Sequence, residues 1–84
     1  MSEELKPFRA WVAVDPRGAP DMPTVSTSFE YSLNRWKRAR WQNYFTAEQL
    51  SGNTYPENPE LAAWSFALHD GWRIVEVEVR EVGK

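Results

Sequence analysis

The clearest hydrophobic pattern lies near the C-terminal end, where residues 72–82 alternate between apolar and polar side chains. Because successive side chains of a strand point to opposite faces, Val75, Val77 and Val79 share one face and the charged residues between them share the other. Gly71 precedes this segment and closes an apolar, helix-like one. The pattern therefore predicts a helix followed by a C-terminal strand.

A second alternating segment predicts a strand over residues 7–14. The next four residues, 15–18, have Asp first, Pro second and Gly fourth, which are the preferences of a type I turn. Prolines then recur, and they cannot donate hydrogen bonds to a sheet. We therefore expect a loop over residues 19–23 and a short second strand over residues 24–26.

The first helix is predicted from a capping box, in which Thr27 caps the helix and Glu30 bonds back to the cap. Phe29, Leu33 and Trp36 then recur at helical spacing. A stripe of this kind faces the core in an amphipathic helix. The sequence predicts that these three side chains are buried.

Two further helical segments follow. Thr46 can cap a short helical turn over residues 45–51, and Asn58 with Pro59 gives a preferred N-cap followed by proline at the first helical position. Residues 61–68 leave this last helix little polar surface. We therefore expect it to be sandwiched between the sheet and the other long helix.

These elements predict one small α+β domain over residues 1–84, with a small antiparallel sheet in β-β-α-α-β order and two helices packed on one face. We expect the helices to cover the valine side of the C-terminal strand. That arrangement leaves four residues on the opposite, open face, namely Trp11, Ala13, Trp72 and Ile74.

Composition changes the picture mainly through its aromatic residues. The chain has no cysteine, five Trp, four Phe and three Tyr in 84 residues, so aromatic side chains must form much of the core. Residues 1–7 lack the basic and apolar stretches of a signal peptide, and no apolar run reaches the ~18 residues that span a bilayer. We expect a tryptophan-rich, soluble, cytoplasmic protein that does not enter a membrane.

Catalytic chemistry is poorly represented. The single histidine, His69, lies near the C-terminus of a helix, where the helix dipole stabilises a positive charge. It has no partner that would orient it for catalysis. Glu76 and Glu78 share a strand face, but Arg80 continues their row, which is typical of a solvated sheet face. Dispersed acids and one histidine give no metal-ligand spacing. We predict no enzyme activity, cofactor, metal site or small-molecule substrate.

The segment around residues 35–40 interleaves basic and aromatic side chains, as single-strand nucleic-acid binders do. At 100° per residue, its cations spread around the helix instead of forming one stripe. Weak nucleic-acid binding is therefore the alternative function. Its candidate residues are Arg35, Lys37, Arg38 and Arg40.

Protein contact is the preferred function, because tryptophan and arginine dominate interface hot spots. Trp41 is expected at the surface unless the loop after Phe45 folds over it. The partner is another protein or a second copy of the chain. The candidate protein-binding residues form two surfaces, one of Trp11, Trp72 and Ile74 and the other of Trp41, Lys37 and Arg38.

The chain resembles small uncharacterised accessory proteins of tailed phages and prophages. The resemblance rests on residues 11–18, on residues 24–26, on the first helix cap and on residues 71–77, and it leaves residues 44–60 unmatched. Such families imply no catalytic residue. The resemblance implies a phage or prophage accessory protein that docks on a host or phage protein.

Overall fold

The computed structural model describes residues 5–82 and shows an α+β fold. In chain order its elements are β1 (Phe8–Val14), β2 (Pro20–Ser26), α1 (Phe29–Arg40), a 3₁₀ turn (Trp41–Tyr44), α2 (Ala47–Gly52), α3 (Pro59–Asp70) and β3 (Arg73–Val79). The three strands form an antiparallel sheet in the order β2-β1-β3. The predicted fold class is confirmed. Residues 1–4, which carry most of the signal-peptide argument, lie outside the described residues.

Strand β2 is longer than the sequence predicts, since the expected loop over residues 19–23 belongs largely to it. Pro20 and Pro23 are tolerated because β2 lies at the edge of the sheet, where a missing amide donor leaves no neighbour unpaired. Pro20 pairs with Val14, and the register shifts between Trp11 and Ala13. An edge strand can therefore contain the prolines that predicted a loop.

Thr24 repairs the irregular pairing between β1 and β2. Its side chain is buried, and its hydroxyl oxygen accepts a hydrogen bond from the Ala13 amide at 2.9 Å. The same hydroxyl donates to the Asp21 carbonyl at 2.6 Å. The side chain thus supplies the acceptor that a regular ladder would take from the backbone.

Helix α1 begins one residue later than predicted. Ser28, not Thr27, is the N-cap, and its hydroxyl accepts from the Tyr31 amide at 3.1 Å. This shift moves Glu30 to the second helical position, so the predicted capping box is wrong. Phe29 is 43% exposed, so the predicted buried stripe holds at Trp36 and not at the start of the helix.

The caps of the two later helices are confirmed. Thr46 and Gln49 exchange the reciprocal hydrogen bonds of a capping box at the start of α2. Asn58 accepts from the Leu61 amide at 3.2 Å and Pro59 opens α3. Gly71 ends α3 at φ 112°, a left-handed conformation that favours glycine.

The helices pack on the side of the sheet that was predicted to be open. The core cluster consists of Ala13, Trp36, Ala63, Trp64 and Ala67, and Trp72 and Ile74 pack against it. Val75 pairs with Val12 and Val77 with Ala10, so the valines lie on the opposite face. The predicted placement of the helices over the valines is wrong, because alanine at position 13 leaves the room that indole rings need.

The valine face, formed by Val12, Val75, Val77 and Val79, has no helix over it in the part of the chain that the structure describes. Val12 is nonetheless only 4% exposed, whereas the three valines of β3 are half-buried. Side chains of the outer strands therefore shield the central strand.

The radius of gyration is 16.1 Å, against about 12 Å for a compact chain of this length, so the described fold is more extended than a sphere.

Replacing Thr24 with valine tests the irregular pairing. Valine keeps the shape but leaves the buried Ala13 amide without an acceptor, so we expect the free energy of unfolding to fall by about 1–3 kcal/mol. Denaturant unfolding measures the change. Thr24→Ser keeps the hydroxyl and Thr27→Val alters an exposed threonine, so both controls should lose less. Equal losses in Thr24→Val and Thr24→Ser would contradict this role.

Candidate interaction surfaces

The first predicted surface, of Trp11, Trp72 and Ile74, lies on the helix-covered side of the sheet. The Trp72 ring lies 5.6 Å from that of Trp36, and Ile74 packs against the same core cluster. Trp11 meets Phe29 edge to face at 5.5 Å. The three residues are half-buried and share one side of the sheet, but that side is already occupied by the chain's own helices.

The second predicted surface lies at the C-terminal end of α1. Trp41 is half-buried, with its ring 6.1 Å from Phe45 and 5.5 Å from Tyr55. The segment after Phe45 therefore folds over Trp41, so this side chain is less exposed than the helix position alone predicts. Lys37 is half-buried and Arg38 is exposed. This surface therefore keeps an exposed basic side chain at Arg38, while its tryptophan is partly covered.

The basic residues of α1 have different surroundings. Arg40 donates through Nε to Asp21 at 2.8 Å, and its guanidinium lies 5.1 Å above the centre of the Trp72 ring. The hydrogen bond to Asp21 raises the pKa of Arg40 against the opposing effect of burial. Arg35 donates to the carbonyl oxygens of Pro23 and Val25, at 3.4 and 3.2 Å. Two of the four predicted nucleic-acid contacts thus bind β2.

Tyr44 lies at the same end of the core. Its ring is 5.8 Å from that of Trp36. Burial raises the pKa of the Tyr44 hydroxyl, and the negative charge of Asp70 acts in the same direction. The hydroxyl is therefore neutral at physiological pH.

An unpredicted apolar surface lies on α3. Leu61, Phe66 and Leu68, which we call the α3 outer face, are 51%, 52% and 51% exposed. The opposite side of α3 carries Trp64 and two alanines into the core. The prediction that α3 is sandwiched is therefore wrong. The sequence signal was the apolar composition of α3 on all sides, which predicted burial of both of its faces. The fold buries only one of them.

The histidine and the two glutamates weighed for catalysis lie on different elements. His69 is exposed on α3, and Glu76 pairs with Arg9 at 3.2 Å on the sheet. Between residues 5 and 82, no group of three or more histidine and acidic side chains is arranged to hold a metal ion. No helix in this same range combines the length and apolar character that a membrane crossing requires.

Comparison with known proteins adds no relative. No protein-family model, curated protein or solved structure matches the chain.

Arginine is expected to be specifically required at position 40. Lysine keeps the charge but loses the planar group that bonds Asp21 while lying over Trp72, so Arg40→Lys should lower the free energy of unfolding by about 1 kcal/mol, allowing for partial exposure. Thermal and denaturant unfolding measure this effect. Arg38→Lys, on the same helix and exposed, is the matched control and should change little. Equal stability of the two variants would contradict the assigned role.

Proposed function

We propose that this protein is a non-catalytic protein-interaction module whose docking surface is the α3 outer face. The observation that carries the proposal is the exposure of Leu61, Phe66 and Leu68 by more than half on a helix whose other side lies in the core. Large apolar side chains grouped on one element are typical of protein-binding sites.

The shape of this surface favours a helical partner. At 100° per residue, Leu61 and Leu68 lie within about 20° of each other, whereas Phe66 lies about 140° around the helix from Leu61. Between these apolar edges lie Ala62 and Ser65, both small, and the exposed His69 near the C-terminal end of the helix. The Ser65 hydroxyl donates to the Leu61 carbonyl at 3.2 Å, so it already has an acceptor. Along the first two turns, this small-residue floor between larger edges suits a ridge of another helix.

The proposed partner therefore presents an amphipathic helix with an apolar stripe. Apolar contact is the main source of affinity, at roughly 25 cal/mol per Å² removed from water before the costs of association. Asp70 and the carbonyl end of α3 favour basic residues where the partner passes that end. The docking thus combines an apolar centre with one charged edge, the general arrangement of protein interfaces.

Nucleic-acid binding ranks second. Arg40 is paired with Asp21 and Arg35 is bonded to carbonyl oxygens of β2, which leaves Lys37 and Arg38 as the more available cations of the four. Two phosphate contacts would give a salt slope of about −1.8, too small for tight binding. The engagement of Arg40 in the fold therefore favours a protein partner.

The biological setting is proposed from the sequence resemblance. We propose that the partner is a host or phage protein and that the chain is a phage or prophage accessory protein acting in the cytoplasm. The exposed leucines support the docking step of this proposal. The origin of the chain stays a prediction.

Site-specific photo-crosslinking tests the docking surface. With benzoylphenylalanine at Phe66, we expect one major crosslinked product in the cells that naturally express the protein, because this side chain would lie in the interface. The same probe at Tyr31, a 64% exposed aromatic residue on α1, is the matched control and should give little product.

A second change separates docking from random collision. Leu61→Ser with Leu68→Ser should abolish the Phe66 product while changing the free energy of unfolding by only about 0.5 kcal/mol per site, since both side chains are exposed. Mass spectrometry identifies the product. Equal yields from positions 66 and 31, or a product that survives the double substitution, would overturn the proposal.

A further inference from the structure

The two edges of the sheet are protected to different degrees. β2 contains Pro20 and Pro23, and Arg35 donates to two of its carbonyl oxygens, at Pro23 and Val25. Prolines and covering side chains are common means of preventing an edge strand from pairing with another chain. The β2 edge is therefore closed.

The β3 edge lacks these protections. Its seven residues, Arg73–Val79, contain no proline, and among residues 5–82 no strand pairs with its outer side. Pairing with β1 ends where Phe8 meets Val79, and the chain continues through exposed residues 80–82 beyond that pair. A row of backbone donors and acceptors is thus available along β3 and past its end.

We propose that a second copy of this chain pairs antiparallel along β3, with Val79 opposite the second copy's Val79. The two sheets then form one six-stranded sheet around a two-fold axis. Because the interface is isologous, it closes at two copies and does not propagate into fibres.

The charges along β3 favour this register over its immediate neighbours. Centring the pairing on residue 76, 77 or 78 places glutamates directly opposite one another, which is destabilising. Centring it on Val79 places Glu78 opposite the second copy's Arg80, and symmetry repeats this attractive pair. It also gives residues 80–82 a strand partner that β1 does not supply.

The choice of a second copy over a foreign strand rests on this self-complementarity. One segment supplies both halves of the Glu78 and Arg80 pair. The two-fold axis also sets Val79 beside the second copy's Val79 on the valine face, where both are half-buried. The proposal is independent of docking at α3.

Sedimentation equilibrium over a concentration series tests the dimer. We expect the mass to rise from 9.8 kDa towards twice that value. Glu78→Arg and Arg80→Glu should each weaken the dimer about tenfold, because each places two like-charged pairs across the axis. The double swap, Glu78→Arg with Arg80→Glu, should restore it. A single mass of 9.8 kDa throughout, or singles that dimerise like the unchanged chain, would overturn the proposal.

Two proline variants provide a test that does not depend on charge. In an antiparallel strand the amides of neighbouring residues point to opposite sides, so one of Val77→Pro and Glu78→Pro removes an amide that faces away from β1. That variant should keep its circular dichroism spectrum and be monomeric, whereas the other should unfold. A folded proline variant that still dimerises would contradict edge pairing. Leu61→Ser with Leu68→Ser should remain dimeric, and its dissociation would assign self-association to α3 instead.

Discussion

The burial of one indole ring organises the molecule. Trp36 is fully buried, with ring centres of Trp64 and Trp72 at 4.8 and 5.6 Å. A ring of this size fits between a helix and a sheet only if the facing side chains are small, and the surrounding alanines provide that room. The same requirement turns the alanine side of α3 inward and leaves its leucines outside. The Trp36 Nε1 atom has no hydrogen-bond partner among the described residues, so packing, not polar contact, holds the ring.

Local chemistry made much of the fold predictable. The alternation of β3, the Thr46 and Asn58 caps and the glycine stop of α3 are short-range signals, and all are confirmed. The full extent of β2 was not predictable from the same rules, because its prolines are acceptable only at an edge and its bulge depends on the Thr24 hydroxyl. Edge position and a side-chain acceptor are properties of the assembled sheet.

The covered face of the sheet was ambiguous for a related reason. β1 has apolar residues on both faces, with Val12 on one and Trp11 and Ala13 on the other. The alternation of its residues therefore does not show which face meets solvent. The valines of β3 predicted that the helices would cover their face. The indole rings instead pack on the other face, where the small side chain of Ala13 leaves room for them. Of the aromatic residues predicted as contact sites, Trp41 and Trp72 pack against the chain's own core. The two surfaces proposed for partners, the α3 outer face and the open edge of β3, lie outside this core.

Nuclear Overhauser contacts from the Trp36 indole test the account most directly. The account predicts contacts from this ring to the methyl groups of Ala13 and Ala63, together with the rings of Trp64 and Trp72. It predicts none to the methyl groups of Val75 and Val77, which lie across the sheet. Contacts from Trp36 to those valines, with Ala13 outside its reach, would contradict the packing on which both proposed surfaces depend.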